Sequence, residues 1–225
     1  MLLIYMVCFF LLVIYSKKIR SNPSIYAAIR WLLFTLLISS EIIYQIWTSI
    51  HGIWMYNLPF HLCGVAGIVG AIALVTLKKE WIAITFFIAL IPALLALLTP
   101  DLLYDFPNFR YFKFFIHHIA ISLTAVFLAV TSRPGTITFK TMLTTYLLLV
   151  GYALFVGFII NPQLNANYLY LSHPPAIASP LDWFGSGIWY RLNLGLITFI
   201  VFYLQLITYQ VRERKVHVRE RGGVS

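Results

Sequence analysis

Seven long apolar runs divide the chain, and they constrain its fold more than any other feature. About 20 consecutive apolar residues in a helix cross the hydrocarbon core of a bilayer. Only 10% of the 225 residues are charged, whereas soluble domains contain about 25%. The runs therefore predict an all-α polytopic membrane bundle with seven transmembrane helices. They cover residues 2–16, 25–47, 58–77, 81–99, 111–131, 138–160 and 187–210.

The basic residues alternate between the two ends of the predicted helices. Thirteen of the 16 lie in the segments after the first, third, fifth and seventh runs or beside them. Cytoplasmic loops carry such an excess of Lys and Arg, which predicts an external N-terminus and a cytoplasmic C-terminus. The scattering also argues against a nucleic-acid partner, which would need a basic patch. We predict one transmembrane domain, 1–211, and a basic cytoplasmic tail, 212–225.

The first run lacks the basic n-region and the small-residue cleavage site of a signal peptide, so we interpret it as a retained, short first span. The external segment 161–186 is rich in Pro, Asn and aromatic residues and has no basic residue. It is too apolar for a plain linker. We expect it to pack over the outer mouth of the bundle as a lid.

Polar residues from four predicted helices share one depth in the outer leaflet. With a rise of 1.5 Å per residue, Glu41, Cys63 and His118 lie about 8–10 Å below the outer surface, and Arg191 and Asn193 about 6–9 Å. Ionisable residues inside a membrane are costly and usually functional. The shared layer therefore predicts a functional site.

Each of these residues also has a structural explanation. Glu41 could pair with Arg191, and His118 could be hydrogen-bonded within the bundle. A free cysteine such as Cys63 often packs like a small hydrophobic residue. Asn193 could form a hydrogen bond between helices. Their convergence at one depth favours the functional interpretation.

The stretch "MYNLPFHLCGVAG" (Met55–Gly67) suggests a reactive thiol. Asn57 suits an N-cap and Pro59 suits the first turn of a helix. Cys63 then lies near the second turn, at the positive end of the helix dipole, where a thiolate is favoured. His61 is two residues away and points to another side of the helix.

A base for Cys63 must therefore come from another helix. His118 has the right depth, and Glu41 or Asn193 could orient its imidazole. His51 and His61 are alternatives nearer the surface.

Four segments resemble, in order, the YwaF-like bacterial integral membrane proteins, a family related to a vertebrate seven-helix ether-phospholipid acyltransferase. The resemblance covers about three quarters of the chain, although Phe60 and the His173-Pro174 pair depart from the usual family residues. It implies a multi-pass protein of the bacterial cytoplasmic membrane, with Cys63 as nucleophile and His118 as base. The segments are "SEIIYQIW" (Ser40–Trp47), "LPFHLC" (Leu58–Cys63), "FPNFRYFKFFIHH" (Phe106–His118) and "NYLYLSHPP…SPLDWFGSGIWY" (Asn167–Tyr190).

Together these patterns predict a lipid acyltransferase or acyl hydrolase that needs no cofactor or metal and acts on a membrane phospholipid or lysolipid. Cys63, His118 and Glu41 are the predicted catalytic residues. Water or a lysolipid alcohol would accept the acyl group through the same base. The predicted substrate-binding residues are His61, Arg191, Asn193, Gln45 and Tyr190.

Two alternatives remain open. The first is a transporter or lipid-binding protein in which Glu41 and Arg191 line a polar cavity. The second is a metal site built from His61, Cys63, His118 and Glu41, although His61 and Cys63 diverge on one helix and no paired His spacing supports chelation.

Overall fold

The computed structural model describes residues 1–102 and 105–222, with side chains up to residue 215. Every regular element in these ranges is helical. The α-helices are α1 (Leu2–Ile14), α2 (Ser16–Ser21), α3 (Pro23–Ile50), α4 (Leu62–Thr76), α5 (Lys79–Leu98), α6 (Phe109–Thr131), α7 (Phe139–Phe155), α8 (Asn161–Leu164) and α9 (Gly187–Gly222). A π-helical segment, Val156–Ile160, joins α7 to α8, and short 3-10 turns lie at Trp54–Tyr56, Tyr168–Tyr170 and Pro180–Phe184.

Five helices of the described ranges are long and apolar enough to cross a membrane. Two further apolar helices, α1 and α4, are shorter. At 1.5 Å per residue, 13 residues in α1 extend about 20 Å, less than a hydrocarbon core of about 30 Å. The all-helical membrane fold is thus confirmed, and the count of seven spans stays a prediction. The five long helices are Pro23–Ile50, Lys79–Leu98, Phe109–Thr131, Phe139–Leu164 and Gly187–Lys215.

Helix α6 forms the centre of the bundle. It packs against α1, α3, α4 and α5, and most of its second half is buried. Tyr5 of α1 and Ser122 of α6 share a buried hydrogen bond of 2.9 Å between their hydroxyl oxygens. The small residues of α4 let neighbouring helices approach closely, as is common between membrane helices. At Gly70 an added Cβ would lie 3.3 Å from Leu37 of α3.

Arginines bind helix C-termini at the end of the bundle predicted to be cytoplasmic. Arg20 donates to the carbonyl of Val130 at 2.9 Å, and Arg30 donates to the carbonyls of Leu74 and Val75. These carbonyls lack partners within their own helices, and the guanidinium charge complements the negative end of the helix dipole.

The predicted basic tail is only partly described. Helix α9 continues without a break through Gly222, and Arg212 donates to the hydroxyl oxygen of Ser16 at 3.1 Å. The side chains of residues 216–225, including Arg219 and Arg221, lie outside the described part of the chain. The tail as a separate unit therefore stays a prediction.

Candidate functional site

Helix α4 begins later than the sequence predicts, which changes the surroundings of Cys63. His61, with an extended backbone, is the N-cap residue, and Leu62 is the first helical residue. The prediction of Asn57 as N-cap and of Pro59 in the first turn is wrong, because the chain forms a 3-10 turn and a loop before it enters α4. Cys63 is thus the second helical residue, even closer to the positive end of the dipole.

Asn57 instead belongs to a polar contact between α3 and α6. Its side-chain oxygen accepts hydrogen bonds from the hydroxyl of Tyr44 at 2.7 Å and from Arg110 at 3.3 Å. Its side-chain nitrogen donates to the carbonyl of Ile53 at 2.8 Å. Asn57 therefore fixes the loop before α4 to both helices rather than capping α4.

Cys63 is a free, partly buried thiol at the start of α4. Cys63 and Gly64 are the second and third residues of α4, and each carries a backbone N–H. Both N–H groups belong to the first turn, where no helical carbonyl can accept from them. An added Cβ at Gly64 would lie 2.9 Å from the carbonyl oxygen of Pro59, so the preceding loop approaches this turn closely.

Glu41 of α3 and Lys113 of α6 form an ion pair between the two helices. The Lys113 ammonium lies 3.5 Å from Oε2 of Glu41, and both side chains are about 15% exposed. Oε1 of Glu41 accepts from the side-chain nitrogen of Gln45 at 2.7 Å. The ion pair of Glu41 thus forms with Lys113, not with Arg191 as the structural alternative proposed.

The adjacent histidines of α6 face different surroundings. The Nδ1 of His118 donates to the carbonyl of Phe114 at 2.7 Å, because a carbonyl can only accept. Nε2 is thereby left as its second, basic nitrogen. His118 interacts electrostatically with His61. It is 6% exposed.

His117 lies between α3 and α4, fully buried. Its Nδ1 lies 2.7 Å from the Ser40 hydroxyl oxygen. Since that hydroxyl donates to the Leu37 carbonyl, Nδ1 of His117 donates to Ser40. Nε2 lies 3.8 Å from Oε2 of Glu41 and has no hydrogen-bond partner among the residues that the structure describes.

The structure therefore connects Glu41 to His117 and Lys113, which the sequence reasoning missed. The four-residue spacing from Lys113 to His117 was an available signal, since such residues share a helix face. The predicted orientation of His118 by Glu41 stays a prediction.

Three predicted binding residues of α9 hold the segment 161–186. Tyr190 donates from its hydroxyl to the Tyr170 carbonyl at 2.8 Å. Arg191 donates from Nε to the Leu171 carbonyl at 3.1 Å, and Asn193 donates to the Phe184 carbonyl at 3.1 Å. These contacts give each residue a structural role, and their binding of substrate stays a prediction.

The segment 161–186 packs over the start of α4, where the sequence predicted a lid. The ring of Tyr168 makes edge contacts with the rings of Phe60 and His61, at centroid distances of 5.5 and 4.9 Å. Beneath the segment lies a cavity of about 370 Å³. Its lining comprises Tyr56, His61, Asp101, Asn165, Ala166, Asn167, Tyr168, Tyr170, His173, Pro174, Pro175 and Ala176.

The predicted metal alternative was based on His61, Cys63, His118 and Glu41. In residues 1–102 and 105–222, no three His, Cys, Asp or Glu side chains are arranged to hold a metal ion. The alternative therefore gains no support from the geometry.

The helical bundle and its apolar spans define the chain as a multi-pass membrane protein with a polar site at one end. A sequence model described as the TMEM164 family matches residues 1–206. The chain therefore belongs to the TMEM164 family. Comparisons with curated proteins and with solved structures gave no significant match.

Proposed function

We propose that the protein is a membrane lipid acyltransferase or acyl hydrolase, with Cys63 as its nucleophile and His118 as its base. The proposal includes seven transmembrane helices, an external N-terminus, a cytoplasmic C-terminus and residence in the bacterial cytoplasmic membrane. The resemblance to the YwaF-like proteins and their acyltransferase relatives supports the proposed activity. Arg20, Arg30 and Arg212, at one end of the bundle, support the proposed orientation.

The position of Cys63 is the observation that carries the proposal. A thiol at a helix N-terminus is favoured as a thiolate by the dipole and by nearby cations. Cys63 has the first of these, because it is the second residue of α4 and its backbone N–H and that of Gly64 belong to the first turn, at the positive end of the dipole. The same N–H groups could donate to the oxyanion of a tetrahedral intermediate.

The reaction has two halves. In the first, His118 takes the thiol proton, and the Cys63 sulfur attacks the carbonyl carbon of a phospholipid ester. The ester C–O bond breaks, the leaving alkoxide takes the proton from His118, and an acyl-thioester remains. In the second half, a lysolipid alcohol or water attacks the thioester and releases the thiol.

Glu41 supports this chemistry through Lys113 and His117. Its carboxylate pairs with the Lys113 ammonium and lies 3.8 Å from Nε2 of the buried His117. The charges of Glu41 and Lys113 therefore offset each other within the bundle.

Acyl exchange by the purified full-length protein in phospholipid nanodiscs tests the proposal. We expect Cys63→Ser to lose acyl exchange and thiol-probe labelling at this position, while Cys8→Ser, the matched change at the other free cysteine, retains exchange. His118→Ala should slow exchange by about 10²-fold or more, as expected for a lost general base. Undiminished acyl exchange in both Cys63→Ser and His118→Ala would refute the proposed enzymatic activity.

A transporter or lipid-binding protein is the second candidate, because the cavity of about 370 Å³ could hold a ligand, although Glu41 and Arg191 do not belong to its lining. Its volume falls within the range of small-molecule sites, about 300–1,000 Å³. This function predicts lipid binding or uptake that tolerates Cys63→Ala and is lost in Glu41→Ala. Equal loss in both variants would count against it.

A further inference from the structure

His61 lies between the external cavity and the start of α4. It lines the cavity and, as N-cap residue, immediately precedes the first turn that carries Cys63. Its ring is held between the rings of Tyr168 and Tyr170, at centroid distances of 4.9 and 5.4 Å. A molecule entering the cavity therefore reaches an imidazole that lies two residues before the candidate nucleophile in the chain.

Asp101 lines the same cavity. The Tyr170 hydroxyl donates to Oδ2 of Asp101 at 3.2 Å, and the Tyr170 ring also packs against His61. One tyrosine thus contacts both side chains, and the cavity that His61 lines also contains a carboxylate.

His118 is less accessible from the cavity than His61 is. It is nearly buried, its Nδ1 is bound to the carbonyl of Phe114, and it does not belong to the cavity lining. An acceptor in the cavity therefore meets His61, whereas His118 is enclosed within the bundle.

The geometry points to a division of labour: His61 is the base that activates the acceptor hydroxyl bound in the external cavity. This inference rests on the proposed function and assigns the second half-reaction, which the sequence analysis gave to the same base as the first. The acceptor oxygen loses its proton to His61 and forms a bond to the thioester carbonyl carbon. The C–S bond breaks, and the departing Cys63 thiolate receives the proton back.

A single-turnover experiment separates the two halves. Full-length protein in nanodiscs of phosphatidylethanolamine and radiolabelled phosphatidylglycerol is quenched in acid to count acyl-Cys63, and lysophosphatidylglycerol is then added as the chase. In His61→Asn we expect acyl-Cys63 to form within about twofold of the wild-type rate and its chase to slow by about 10²-fold. Asp101→Asn should slow the chase by a smaller factor.

His51→Asn is the matched control, because His51 is exposed, stacks on Trp47 and does not belong to the cavity lining. It should acylate and chase as the wild type does. In His61→Ala, added imidazole can enter the cavity and should restore part of the chase rate, which a purely structural role of His61 would not allow.

The outcomes distinguish the two proposals. A wild-type chase rate in His61→Asn overturns the role of His61 and leaves the proposed function intact. A folded His61→Asn protein that does not acylate also overturns the division of labour. Absence of acyl-Cys63 in the wild type overturns the proposed function, and the role of His61 with it.

Discussion

Gly67→Ala tests the packing that places α4 against α6. An added Cβ at Gly67 would lie 2.9 Å from Cε1 and 3.1 Å from Nε2 of His117, whereas carbon atoms prefer separations of about 3.5–4.0 Å. The imidazole cannot simply rotate away, because His117 is fully buried and bound to Ser40 at 2.7 Å. Either α4 shifts or this hydrogen bond breaks.

The net cost follows from two opposing contributions. Overpacking of a core costs about 1–3 kcal/mol, and the change from Gly to Ala inside a helix returns about 0.5–1 kcal/mol. We therefore expect Gly67→Ala to lower the free energy of unfolding by about 0.5–2 kcal/mol. At Gly151 of α7 no atom in the described part of the chain lies within 4 Å of an added Cβ, so Gly151→Ala should be neutral or slightly stabilising.

Denaturant unfolding in mixed micelles measures these differences, and a double-mutant cycle identifies their cause. The second change, His117→Ala, removes the ring that the new methyl group meets. Gly67→Ala should then cost at least about 1 kcal/mol less in the His117→Ala background than in the wild type. Equal effects of Gly67→Ala and Gly151→Ala, or the absence of coupling, would refute the reasoning.

Three further changes test the segment 161–186 and the ion pair of Glu41 and Lys113. Asn161→Leu removes the partners of the buried backbone N–H and carbonyl of Tyr168, which Asn161 binds at 2.8 and 3.1 Å. We expect the segment 161–186 to lose about 2–4 kcal/mol of stability and its amide hydrogens to exchange faster. Unchanged hydrogen exchange would contradict this. Burial, and then Asp101, raise the pKa of the Tyr170 hydroxyl. The contribution of Tyr170 to stability is therefore complete below about pH 10 and is lost as the pH rises through the folded-state pKa. Protection of the segment from hydrogen exchange should fall above about pH 10, and it should fall less in Tyr170→Phe. Glu41→Gln removes the charged partner of Lys113, which lies 3.5 Å away. We expect the free energy of unfolding to fall by about 2 kcal/mol, between the values for exposed and buried ion pairs. An unchanged free energy of unfolding would show that the pair contributes little.

The sequence alone determined which segments are helical and apolar. The helix bounds agree to within a few residues for the predicted runs 81–99 and 111–131, because hydrophobicity over a membrane-length window is a local property of the chain. The start of α4 was less predictable, since Asn57 and Pro59 suit a helix start but also suit the loop that they form here. Whether α1 and α4 cross the bilayer depends on the lipid and on neighbouring helices, not on their own apolar content.

The candidate nucleophile was also found by local reasoning, because a cysteine near a helix start carries its own electrostatic advantage. The residues around Cys63 were not found by local reasoning. The hydropathy of α6 does not reveal the rotation of that helix about its axis, and this rotation turns His117 toward Ser40 and Glu41 while it directs His118 elsewhere. Likewise, only the folding of the external segment over α4 brings Asp101 and His61 to one cavity. The sequence determined the helices and the thiol, and the packing of the helices decided which charges and imidazoles surround it.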